Sequence, residues 1–77
     1  MTATPAAESR LTLRVNGETR DVPTGWTIQT LLDDLLLDPR LVVVERNREI
    51  LRDRTALPAV RLQDGDVLEL VHFVGGG

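Results

Sequence analysis

Few side chains in this sequence are of a kind that does chemistry, and most of those stand alone. His72 is the single histidine. It lies in an apolar run beside Phe73, with no cysteine, lysine or second histidine to work with, and reads as a packing or surface residue rather than a base. Asp33-Asp34 reads as part of a solvated helix face, and Asp64 with Asp66 brackets a glycine in a turn. A hard-cation site at the second pair would need the spaced oxygen ligands and closing glutamate of a calcium loop, which do not follow, so no metal site is expected. Trp26 reads as a staple at a helix entrance rather than a ligand platform.

The remaining candidate is the last run, Phe73-Val74-Gly75-Gly76-Gly77. A terminal carboxylate is a poor electrophile, but it can attack the α-phosphate of ATP to give an acyl-adenylate, from which a sulfur nucleophile displaces AMP. The 77 residues include no cysteine, so no side-chain thiol could hold the sulfur, and disulfides and thiolate metal sites are excluded as well. Entry into a narrow active site favours residues without side chains. Four residues from Val74 reach about 14 Å at roughly 3.5 Å each, so the terminus could enter a partner while the folded body stays outside. A glycine-rich end equally suits an inert, disordered tail, and composition alone does not separate the two.

The elements that would position this run can be read from hydrophobic periodicity. Residues 10–15, RLTLRV, alternate strictly, with Leu11, Leu13 and Val15 on one face of a half-buried strand. Asn16-Gly17 favours a tight hairpin turn, residues 18–22 return as a second strand, and Pro23-Thr24-Gly25 ends the hairpin. Thr27 is an N-cap for a helix whose stripe is Ile28, Leu31, Leu32, Leu35 and Leu36, and which must stop before Pro39. Residues 41–45, LVVVE, predict a third, central strand buried on both faces or near the middle of the sheet. Arg46-Asn47-Arg48 turns the chain into a short edge strand at 49–51, residues 52–61 are irregular around Pro58, and Asp64-Gly65-Asp66 turns into a last strand at 67–73. The order β-β-α-β-(β)-β predicts an α+β domain of two layers around one core.

The chain length admits one compact domain. Residues 1–9 are expected to be a disordered lead-in, residues 10–74 the domain and residues 75–77 a flexible glycine tail. The net charge is −3, with nine arginines scattered among twelve acids; the absence of a concentrated basic face argues against a nucleic-acid partner. No apolar run approaches the roughly 20 residues of a membrane span, and the N-terminus lacks a secretion signal's basic cluster and apolar core. A cytoplasmic protein with no membrane partner is expected.

Several fragments together resemble the sulfur carriers of thiamine biosynthesis, the ThiS family. They are Val15-Asn16-Gly17-Glu18, residues 27–32 opening the helix, VVVERN at 42–47, LQDGD at 62–66 and VHFVGGG at 71–77. The resemblance covers residues 11–77, with Gly75 a spacer before the motif's Gly76-Gly77. It implies a ubiquitin-like β-grasp fold, a mixed sheet of four to five strands whose first and last strands lie parallel side by side, with the helix packed across. It also implies that the chain is a co-substrate, not an enzyme. A ubiquitin-activating-like adenylyltransferase would use ATP to adenylate Gly77, and a cysteine desulfurase or persulfide protein would supply sulfur. The resulting thiocarboxylate would feed a thiazole synthase. No permanently bound cofactor is implied. In such a family the body near the tail docks partners, which makes Phe73, Val74, Asp64, Asp66 and Glu69 candidates; strand-end packing and turn chemistry are the competing roles. Three other readings stay open: a carrier for molybdopterin, cysteine or another sulfur metabolite; a ubiquitin-like protein modifier; and an interaction domain with an inert tail.

Overall fold

The computed structural model describes residues 9–73. Strands β1 (Arg10–Val15) and β2 (Glu18–Pro23) form an antiparallel hairpin in which Val15 faces Glu18 and Arg10 faces Pro23. Asn16 and Gly17 both have positive φ, 50° and 85°, the mirror-image turn whose twist matches that of the flanking strands. Ser9, placed by the sequence in the lead-in, accepts a backbone hydrogen bond from Thr24 at 3.2 Å.

Helix α1 (Ile28–Asp34) begins at Thr27, whose hydroxyl accepts from the Thr30 N–H at 3.2 Å, while the Thr30 hydroxyl accepts from the Thr27 N–H at 3.3 Å. This reciprocal pair satisfies two N–H groups the helix start would otherwise leave open. Ile28, Leu31 and Leu32 are fully buried, and Trp26 and Leu35 pack partly against them. The stripe does not continue to Leu36 as expected. The helix closes earlier, with the Leu36 N–H donating to Asp33 O at 3.1 Å and the Leu37 N–H to Leu32 O at 2.9 Å. These two bonds are those of a Schellman cap. They put Leu36 at φ 60° and 91% exposed, and Leu37 takes its place against the core.

A 3₁₀ turn (Pro39–Leu41) leads into β3 (Val42–Arg46), which pairs antiparallel with β4 (Glu49–Leu51) across a turn at Asn47 and Arg48. The segment expected to be irregular contains a second 3₁₀ helix (Arg54–Ala59), capped by the Asp53 carboxylate and seating Leu57 in the core. Beyond it, Leu62 N donates to Trp26 O and Ile28 N donates to Val60 O, both at 2.9 Å, which ties this stretch to the start of α1.

The last strand, β5 (Val67–His72), completes a sheet of order β2-β1-β5-β3-β4. β5 lies parallel to β1 and antiparallel to β3. The middle position therefore belongs to β5 rather than to β3, which is an interior strand one place from the centre. Val42 and Val44 of β3 point into the core while Val43 is only half-buried, so one face of β3 is covered, not both. One cluster of buried aliphatic side chains, from Leu13 and Val22 through the helix to Leu68 and Leu70, fills the space on the helix side of the sheet.

Candidate functional site

β5 is the last element before Val74 and the three glycines, so what holds β5 fixes the place of Phe73, the last described residue. At its start, Asp66 is the one buried charge among the described residues, 4% exposed. Its carboxylate accepts from the Gln63 N–H at 2.8 Å, the Asn47 amide at 3.0 Å and Arg46 Nε at 3.1 Å. Burial pushes this carboxyl up, but those three donors outweigh it and hold it below the usual carboxylate range. Asn47 also accepts from the Val67 N–H at 2.9 Å through its side-chain oxygen, joining the β3–β4 turn to the first residue of β5.

Farther along, Asn16 acts as a substitute strand residue. Its amide oxygen accepts from the Leu70 N–H at 2.7 Å and its amide nitrogen donates to the Leu70 carbonyl at 3.2 Å. The parallel β1–β5 pairing, which ends in backbone terms at Asn16 N to Leu68 O, is thus continued one step by a side chain. The final anchor is the Phe73 N–H, which donates to Leu41 O at 2.8 Å.

The sequence candidates do not form one surface. Asp64 is exposed, but its Oδ1 accepts from the Thr12 N–H at 2.7 Å, a turn-closing role, and Asp66 is spent inside the domain. Both lie at the start of β5, on the order of 20 Å from Phe73 at about 3.3 Å per residue. Glu69 is exposed midway along the strand, opposite Glu45 of β3. Phe73 is half exposed at the exit. Val74, Gly76 and Gly77 lie outside the described residues.

The sequence reading missed Val71, Val43 and Ile50, which lie on the open face of the sheet towards that exit. Leu68 and Leu70 face the core, so alternation turns Val67, Val71 and Phe73 to the open face of the sheet, where Val71 is 55% exposed. Val43 sits opposite Val71, and exposed Ile50 follows on β4. The period-two pattern of residues 67–73 carried this information. Beside the exit, Asp38 caps the 3₁₀ turn and pairs with Arg40 at 2.8 Å; hydrogen bonds from Arg40 hold its carboxyl at about 2. His72 is exposed, and among the described residues no group of three or more acidic, histidine or cysteine side chains could hold a metal. Nor is any helix among them long and apolar enough to cross a membrane.

Comparison with known proteins places this geometry. A family model described as the ThiS family matches residues 13–77. The chain is 51% identical over 51 residues to the sulfur carrier protein ThiS of Bacillus subtilis, an alignment covering 66% of this chain and 76% of that one. It is 45% identical over 65 residues to a thiazole synthase of Paramagnetospirillum magneticum, covering 84% of this chain but 20% of the synthase. The chain therefore spans about one fifth of the length of that relative. The crystal structure of a thiamine biosynthesis protein (ThiS) from Geobacter metallireducens is similar with a TM-score of 0.69 at 37% identity, covering 87% of this chain and all of that one. The five-stranded mixed sheet with one main helix is the ubiquitin-like β-grasp fold of those neighbours. With a family model running over most of its length and a sulfur carrier as a 51% identical relative, the chain belongs to the ThiS family.

Proposed function

We propose that this chain is a sulfur carrier that serves thiazole formation in thiamine biosynthesis through the carboxylate of Gly77. The observation that carries this reading is the family match, which runs to Gly77 itself. It is supported by the position of β5, a central strand fixed from both sides that delivers the chain to its open end at Phe73.

In the proposed cycle, a ubiquitin-activating-like adenylyltransferase binds ATP, and a Gly77 carboxylate oxygen attacks the α-phosphorus, releasing pyrophosphate. The terminal sulfur of a persulfide, held by a cysteine desulfurase or another persulfide protein, then attacks the acyl carbon and AMP leaves. A thiol cleaves the resulting S–S bond to give the thiocarboxylate. Because these 77 residues include no cysteine, neither the persulfide nor that thiol comes from them. The body's task is to hold the tail outside while Phe73, Val74 and Glu69 meet the partner. Matching of this chain to a segment of longer proteins named thiazole synthase supports a thiazole synthase as the acceptor. A cytoplasmic location suits the same cycle.

Adenylation is tested by ATP–pyrophosphate exchange with the activating enzyme. The full chain should support exchange, the Gly77 deletion should not, and Gly76→Val should block it by side-chain bulk in a narrow channel. Normal exchange in both variants would remove Gly77 as the reacting group. Reductant-resistant bands of higher mass on a denaturing gel would instead favour a protein modifier.

A further inference from the structure

One surface feature is not absorbed by the tail chemistry. An open groove of about 330 Å³ is lined by Val42, Val43, Ile50, Leu51, Arg52 and Arg54. Four of the six are aliphatic and two are arginines. In a chain of net charge −3, this groove has no acid in its lining.

Its place in the fold is set by strand direction. β4 is antiparallel to β3, which is antiparallel to β5, so β4 and β5 run the same way. Leu51 stands opposite Val44, and the chain then continues through Arg52 past the level of Val43. On the other side of β3, Val43 faces Val71 and Val42 faces His72. The groove therefore lies at the end of the sheet where β5 ends and the chain reaches Phe73, with β3 between them.

The two arginines differ in how they are held. Arg54 Nε donates to the Pro39 carbonyl at 2.9 Å, which fixes its guanidinium over the 3₁₀ turn with other N–H groups left over. Arg52 is exposed and makes no hydrogen bond or ion pair among the described residues. β4 is an edge strand, so no neighbouring strand covers this side. An apolar floor with fixed and free guanidinium groups at its rim complements an apolar side chain flanked by carboxylates.

We infer that this groove is a docking site for the adenylating enzyme, which fills it with an apolar side chain flanked by acidic residues, read by Arg52 and Arg54. The inference rests on the carrier function proposed above. A protein that draws the last residues into its own active site must press its rim against the surface beside the exit, and the groove is on that surface. Rim charges of this kind set association rate and partner choice, and a reversed charge facing carboxylates is penalised strongly.

The test is the binding of the full chain to the purified adenylating enzyme by calorimetry, at low and high salt. Arg52→Glu should weaken binding by at least about tenfold at low salt and flatten its salt dependence. Arg48→Glu is the control. It makes the same charge change at the turn of the same hairpin, at the opposite end of β4, and should stay within about twofold of the parent. Thermal unfolding of each variant identifies any loss of fold, and Arg52→Gln offers a milder variant with an intermediate effect. Equal effects of the Arg52 and Arg48 changes, or none from Arg52→Glu, would overturn the groove assignment. Thiocarboxylate formation on the parent chain is followed by mass in parallel. If it fails, the carrier reading and the groove fall together; if it succeeds while Arg52→Glu binds normally, only the groove does.

Discussion

Asp66 shows how much a single carboxylate can organise. It gathers donors from Arg46, Asn47 and Gln63, and Asn47 in turn holds the first N–H of β5. Replacing Asp66 by Ala would strand these donors around a cavity, and the expected loss is about 3 kcal/mol in urea unfolding. Its folded-state pKa is depressed. The stabilisation is therefore complete above the unfolded value of about 3.9 and is lost as pH falls through the folded value. Unfolding free energy should hold steady from about pH 7 to 5 and drop below about pH 4, with a smaller drop in Asp66→Asn. An identical acid profile in that variant would mean Asp66 plays no part in it. Asn16→Ala should cost about 2 kcal/mol, since both polar groups of Leu70 lose their partner. The sequence showed Asp66 as a turn residue and a docking candidate. Its burial was not legible there, because its partners Arg46 and Asn47 lie 20 and 19 residues away and meet it only through the β3–β5 pairing.

The elements were legible where one local rule decided them. Strict alternation set β1 at its observed limits, Asn16-Gly17 set the hairpin, and Thr27 set the start of α1. The end of α1 was not, because the apolar stripe continued to Leu36 and the residue at the left-handed cap position is not glycine. A leucine there carries a backbone cost of about 1–2 kcal/mol, against which glycine's greater freedom in the unfolded chain offsets about 0.5–1 kcal/mol. Leu36→Gly should therefore raise stability by roughly 0.5–1 kcal/mol, seen as a higher Tm, and Leu36→Val should lower it. A lower Tm for the glycine variant would mean that the exposed leucine makes contacts that matter to folding. The second 3₁₀ helix escaped notice because Pro58 reads as a breaker, yet its Leu57 is fully buried. Leu57→Ala is expected to cost about 3 kcal/mol by leaving a cavity.

For the whole molecule, the decisive fact is that the last strand in sequence is the middle strand of the sheet. This strand is secured on both sides just before the last residues of the chain, and among the described residues the buried core lies between Leu13 and Leu70. The parallel pairing of the first and last strands was legible through the family resemblance, but the middle place of the last strand was not, since residues 41–45 read as the central strand. Of the candidate docking residues among those described, Asp64, Glu69 and Phe73 are exposed and Asp66 is buried; the exit surface was not legible, because it is assembled from β3, β4 and β5, which pattern reading treats one at a time. Removal of Gly77 should leave cooperative unfolding intact.

The central claim is that Gly77 is where sulfur is carried, and intact mass tests it most directly. The purified chain is incubated with ATP, the adenylating enzyme, a cysteine desulfurase with free cysteine as the sulfur source and a thiol reductant, with the Gly77 deletion alongside and the enzyme's competence established on another carrier. The account predicts a mass gain equal to one oxygen replaced by sulfur in the full chain and no gain in the deletion. An unchanged full chain, or the same gain in both, would contradict it.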